Sequence, residues 1–200
     1  MNDTIAFLDA GFLSKLSKSF GKGKYLIYDL IKFAGNLAKK QNLYCKHVYY
    51  YTAPPFQSEK PTKEEENRKK NYDRFIKKLV ENKEITIREG RCQRLKIDGR
   101  FIYKQKAVDS LMVMDMLSVP IDYPGIKDII LIASVSDFVP VIKRREKIGI
   151  KTTLYTYYEW TNRKSIFSTS NELIKSVDKY IILTRQDFDD SPLNKSLVGG

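Results

Sequence analysis

Ile129-Ile130-Leu131-Ile132-Ala133-Ser134-Val135-Ser136-Asp137-Phe138 begins as a wholly apolar run, turns abruptly to small and polar residues, and carries one carboxylate near its end. An apolar run of this length between polar flanks suits a strand buried on both faces, as in a parallel sheet under helices. In open α/β sheets, ligands bind outside the carboxyl ends of the strands. Asp137 therefore stands where such a protein does its chemistry, and the rest of the chain must supply its neighbours.

Working outward, Thr4-Ile5-Ala6-Phe7-Leu8-Asp9 repeats the pattern: an apolar run ending in a carboxylate, with Ala10-Gly11 allowing a tight turn after it. Residues 12–24 read as a short helical turn followed by a basic loop, and apolar residues at helical spacing predict a helix over 25–40. Leu43 to Thr52 is rich in β-branched and aromatic residues and reads as a second strand. Thr62 and Glu65 form a capping-box pattern that opens a highly charged helix reaching Lys83. Ile85 to Glu89 alternates like a third strand. Asp98-Gly99 lies between Arg94–Ile97 and Phe101–Lys104, a strong hairpin signal.

Lys106 to Ser118 reads as a helix with Val108, Leu111, Met112 and Met114 as packing positions, set off from the next strand by Pro120 and Pro124-Gly125. After Asp137 a basic helix with Lys143, Arg144, Arg145 and Lys147 ends at Gly149. Lys151 to Tyr158 reads as a strand, Thr161 to Thr169 as a polar loop, Ser170 to Val177 as a short helix and Tyr180 to Leu183 as a last strand. Strands alternate with helices, so the class is α/β with a mostly parallel sheet of five to six strands and a small antiparallel hairpin near 94–104. One domain over 1–185 is expected, with a flexible tail over 186–200.

Lysine and arginine number 36 against 24 acids, a formal excess of +12 that favours polyanionic partners, nucleic acid first. No apolar stretch approaches the roughly 20 residues that span a bilayer, so no membrane partner is expected. Cys45, Cys92 and the lone His47 are too few and too scattered for a zinc site, neither thiol has a nucleophile's context, and a reducing cytoplasm is the expected location.

Three carboxylates occupy comparable places: Asp9 after the first strand, Asp137 after the fourth, and Asp109 near the start of the Lys106 helix. Mg²⁺ and Mn²⁺ take oxygen ligands from a few carboxylates and can activate water against a phosphodiester. An acidic cluster within a basic protein suits that chemistry, with lysines on the backbone and metal neutralising the acids. Asp115 lies about 120° around and about 9 Å along an ideal helix from Asp109, and so belongs behind the site rather than in it.

These segments resemble the NYN domain family, in its LabA-like branch of the PIN-like nucleases. The resemblance rests on IAFLDAGFL (Ile5 to Leu13), KQKAVDSLMVMDML (Lys104 to Leu117), IILIASVSDFVPVIKRREKIGIK (Ile129 to Lys151) and SNELIKSVDKYIIL (Ser170 to Leu183), found in the family's order. It implies a Rossmann-like PIN fold and Mg²⁺- or Mn²⁺-dependent cleavage of RNA, single-stranded by expectation, with Asp9, Asp109 and Asp137 as metal and catalytic residues. Asp115, Ser134 and Ser136 would support them, and Lys15, Lys104, Lys106, Lys143 and Arg144 would meet the RNA. Homo-oligomer formation or a protein partner is left open. One departure stands out: where the family usually reads Gly-Asp-Ser-Asp-Phe, this chain reads Ser134-Val135-Ser136-Asp137-Phe138, and valine cannot coordinate a cation. The alternative expectation is a weakened or inactive relative that binds RNA or acts as a regulatory module.

Overall fold

The apolar runs around Ile5 and Ile129 become the two central strands of the computed structural model, which describes residues 1–159 and 167–193. In chain order the elements are β1 (Asn2–Asp9), α1 (Ala10–Phe20), α2 (Leu30–Lys39), β2 (Leu43–Thr52), α3 (Lys63–Val80), β3 (Ile85–Glu89), β4 (Arg91–Ile97) and β5 (Arg100–Lys106). There follow α4 (Val108–Asp122), β6 (Asp128–Ile132), a 3₁₀ turn (Ser136–Phe138), α5 (Val139–Glu146), β7 (Lys151–Thr156), α6 (Asn171–Ser176), β8 (Lys179–Ile182) and α7 (Arg185–Asp189). Six strands form one sheet in the order β3-β2-β1-β6-β7-β8, every neighbouring pair parallel. β4 and β5 form a separate antiparallel pair.

Alternation explains why the central strands are apolar throughout. Ile5, Phe7, Ile129 and Leu131 face a core shared with α4, α5 and α6, while Ala6, Leu8, Ile130 and Ile132 face a second core shared with α1, α2 and α7. From β1 the chain builds outward through β2 to β3, then returns to the other side of β1 for β6, β7 and β8. The direction of winding reverses between β1 and β6, which opens a crevice at their carboxyl ends. No helix among the described residues is long and apolar enough to cross a membrane.

Several boundaries differ from the sequence reading. α1 is a full helix rather than a short turn, because Asp9 caps it and Phe12, Leu13 and Leu16 bury one face. The helix expected over 25–40 starts only at Leu30, where Asp29 accepts hydrogen bonds from Ile31 and Lys32, and leaves Ile27 80% exposed. Lys106 belongs to β5, and α4 runs from Val108 past Ser118 with Pro120 inside its last turns, because Val119 still has a core to enter. The tail expected from residue 186 is folded at its start. Thr184 and Asp187 form a capping box, Lys40 pairs with Asp187 at 2.6 Å, and the buried Phe188 meets Phe20, Tyr28 and Phe33. Residues 161–166 of the expected polar loop and 194–200 of the expected tail lie outside the described residues.

Phe188 thus completes the core on the α1–α2 side. Phe188→Ala is expected to cost about 3 kcal/mol, roughly 10 °C in thermal midpoint for a chain of this size. An unchanged midpoint would show that the segment after residue 184 contributes nothing to the core.

Candidate active site

Asp9 ends β1 and opens α1. Its Oδ1 accepts from the backbone N–H groups of Gly11 at 2.8 Å and Phe12 at 3.1 Å, which satisfies two of the helix's free donors. Its other oxygen takes no hydrogen bond among the described residues. Burial raises the pKa of Asp9, and the two N–H donors and the Lys15 ammonium act against that rise. Asp109 sits in the first turn of α4, just after Ala107, whose φ of 68° turns the chain sharply out of β5. Its pKa is raised too, first by burial and then by the negative charges of Asp9 and Asp137. Three carboxylates from three elements therefore share one field at the carboxyl edge of the sheet.

Asp9, Lys15, Asp109, Gln105 and Ser134 line a cleft of about 170 Å³, with Phe12, Val135 and Phe167 among its apolar walls. Asp137 and Ser136 are exposed on the 3₁₀ turn beside the cleft rather than in its lining. Of the expected RNA contacts, only Lys15 is in the cleft; Lys104 and Lys106 are exposed on β5, and Lys143 and Arg144 on α5. Arg145 adds nothing to that basic surface, because it is fully buried with no hydrogen-bond partner for its guanidinium nitrogens among the described residues, and burial lowers its pKa to about 10.

Asp115 is committed elsewhere. It receives Arg88 through Nε at 2.8 Å and Nη2 at 2.9 Å, and the Tyr51 hydroxyl at 2.9 Å, tying α4 to β2 and β3. His47 and Cys45 play no part: the His47 ring contacts Thr86 at 2.8 Å, and burial pushes the Cys45 thiol up to about 12.

Gln105 is the lining residue that sequence reasoning passed over in favour of its neighbours Lys104 and Lys106. Residues alternate along β5, so Gln105 faces opposite to both lysines, and the packing of the ribbon decides which face meets the cleft. Gly11 makes room for it. A Cβ on Gly11 would lie 3.2 Å from both Asp9 Oδ1 and Gln105 Oε1.

The donors around the cleft are all oxygen: the free oxygen of Asp9, Asp109, the Gln105 carbonyl and the Ser134 hydroxyl. That set fits a hard divalent cation that keeps several waters. It does not fit a closed protein cage, for among the described residues no three His, Cys, Asp or Glu side chains gather closely enough to hold an ion.

The raised pKa of Asp109, due first to burial and then to the charges of Asp9 and Asp137, makes a prediction about pH. Unfolded Asp109 ionises near 3.8 and folded Asp109 above it. Between those values the unfolded state has lost a proton that the folded state still holds, so stability falls as pH rises through the window and stays lower above it. Asp109→Asn removes this cost. In EDTA at pH 7 it is expected to raise the thermal midpoint. A midpoint below the parent's would contradict a cost of holding the Asp109 charge at this site.

Comparison with known proteins agrees with this architecture. A solved structure of a protein of unknown function from Vibrio parahaemolyticus superposes with a TM-score of 0.54 at 16% identity, covering 94% of this chain and 96% of that one. At that identity the likeness speaks for the fold alone. No curated protein matches the chain. The family model of the NYN domain matches residues 7–184, from the last residues of β1 to just past β8. The chain belongs to the NYN domain family, and through it to the PIN-like nuclease superfamily.

Proposed function

We propose that this chain is a metal-dependent endoribonuclease of the LabA-like branch, with single-stranded RNA as substrate and Mg²⁺ or Mn²⁺ as cofactor. The observation that carries the reading is the meeting of Asp9 and Asp109 in one polar cleft with Asp137 beside it, where burial, and then the charges of Asp9 and Asp137, raise the pKa of Asp109. Carboxylates without a cation are costly to gather, and such clusters mark functional sites. Asp9 and Asp109 would hold the ion, with Gln105 and Ser134 as neutral oxygens beside them and the Asp137 carboxylate, on the 3₁₀ turn at the edge of the cleft, adding its charge. When bound, the ion supplies positive charge at the scissile phosphate and acidifies water.

The chain's own residues do the rest. The Lys15 ammonium offers a phosphate oxygen a counter-charge inside the cleft. Gly11 and Phe12 donate their backbone N–H groups to Asp9 and hold that carboxylate in one orientation. Phe12, Val135 and Phe167 limit water at the reacting face. Lys143 and Arg144, exposed on α5 after Asp137, would take up the RNA backbone beyond the cleft. Free thiols at Cys45 and Cys92 are consistent with work in a reducing cytoplasm.

A second reading, an RNA-binding or regulatory module without catalysis, is favoured by Val135. This residue is 38% exposed and forms part of the cleft wall, in the position where the family usually places an aspartate.

Purified protein is expected to cut single-stranded RNA with Mn²⁺ or Mg²⁺, and Asp9→Asn to lower the rate more than about 100-fold. Asparagine caps a helix as well as aspartate does, so folding should survive the change. Full activity in EDTA would exclude the metal. Val135→Asp is expected to increase cleavage at limiting Mn²⁺. RNA retention without cleavage, in parent and V135D alike, would select the second reading.

A further inference from the structure

The β4–β5 ribbon stands apart from the main sheet, and its chemistry is unlike that of an ordinary solvent-exposed hairpin. Asp98 and Gly99 close it with φ of 49° and 76°, the tight turn that matches strand twist. Every residue of β5 is exposed, including Phe101 at 55% and Tyr103 at 47%. Between residues 91 and 106 the sequence places six basic side chains against one acid, Asp98.

Register sorts these residues. Directly opposed residues share a face, and the pairs Cys92–Gln105, Arg94–Tyr103 and Lys96–Phe101 fall on one. Since Gln105 lines the acidic cleft, Tyr103 and then Phe101 follow on the same face toward the tip. Same-face side chains recur about every 6.8 Å along a strand. The Arg94 guanidinium lies 4.6 Å from the Phe56 ring centre and 4.5 Å from that of Phe101, and Phe56 lies 5.8 Å from Tyr103. The face is therefore a row of rings with cations among them, beginning at the cleft. Its base is fixed: the Gly90 N–H donates to the Thr52 carbonyl at 2.8 Å, and a Cβ on Gly90 would collide with the Lys106 carbonyl and Val108. The ribbon is thus held against the turn of α4 that carries Asp109.

We infer that this face is a docking arm for single-stranded RNA, with bases stacking on Tyr103 and Phe101, phosphates on Arg94 and Lys96, and the strand entering the cleft past Gln105. Rings interleaved with cations suit a polyanion whose bases are open; in a duplex the bases are stacked on one another and closed to side chains. The inference rests on the reading of the cleft as an RNA site, and the test separates the two.

Binding of a fluorescent 12-nucleotide single-stranded RNA and of a duplex of equal length is measured by anisotropy in EDTA, where the proposed cleavage is silent. The double variant F101A/Y103A is expected to weaken single-strand binding at least tenfold, leaving duplex binding and the salt slope unchanged, since no cation is removed. R94A/K96A should lower the salt slope as well. Phe101, Tyr103 and Lys96 are exposed and Arg94 is half-buried, and circular dichroism checks the fold. Unchanged single-strand affinity in F101A/Y103A, or an equal loss on duplex, overturns the arm, whatever cleavage is seen with Mn²⁺. The expected loss without any cleavage keeps the arm and removes the nuclease. A parent protein that binds neither RNA overturns both.

Discussion

The parallel pairing of β1 with β6, Thr4 through Leu8 against Asp128 through Ile132, is the constraint on which the molecule depends. Residues 5–8 and 129–132 are wholly buried, and their side chains alternate into the two cores. Burial of each large apolar side chain contributes about 1.5–3 kcal/mol, so a slip by one residue, which would exchange the faces, is strongly opposed. The same register puts Asp9 and the Ala133–Phe138 segment at one edge, where the winding reverses. A hydrophobic constraint thereby positions polar groups that would not gather by themselves.

What gathers there is in electrostatic tension. Asp109 and Asp115 lie six residues apart on α4 and show the two fates open to a carboxylate. Asp115 accepts a bidentate Arg88 and a tyrosine hydroxyl, and it serves to join helix and sheet. Asp109 is partly buried and has two like charges for neighbours, and its pKa rises from burial first and from those charges second. The first arrangement stabilises the fold, whereas the second costs stability, a cost that the proposed cation would relieve. Lys15 relieves part of the cost at Asp9, and Val135 lowers the local density of charge where a further acid would have raised it.

The cleft also depends on an element outside the main sheet. Gln105 reaches it because β5 is paired residue for residue with β4, and because Gly90 lets the base of that ribbon lie against the start of α4. Ala107 then turns the chain into the helix that delivers Asp109. The acidic site and the basic ribbon are thus two ends of one short piece of chain, with opposite charge held a few residues apart.

Much of this was legible in the residues themselves. The central strands, the α/β class, the Asp98-Gly99 hairpin and the candidate acids follow from apolar runs, alternation, turn chemistry and the position of carboxylates after strands, all of which are local properties of the chain. The late start of α2, the folding of α7 and the inward turn of Arg145 were not legible in this way, because each is decided by a distant partner or by a core to be filled. The same holds for the site. Sequence alone nominated Asp9, Asp109 and Asp137; that Asp109 feels both of the others, that Asp115 belongs to Arg88, and that Gln105 rather than Lys104 or Lys106 lines the cleft came from tertiary structure. Hydrophobic periodicity is written along one strand or helix at a time, whereas a carboxylate's role is set by the charges brought to it from elsewhere in the chain.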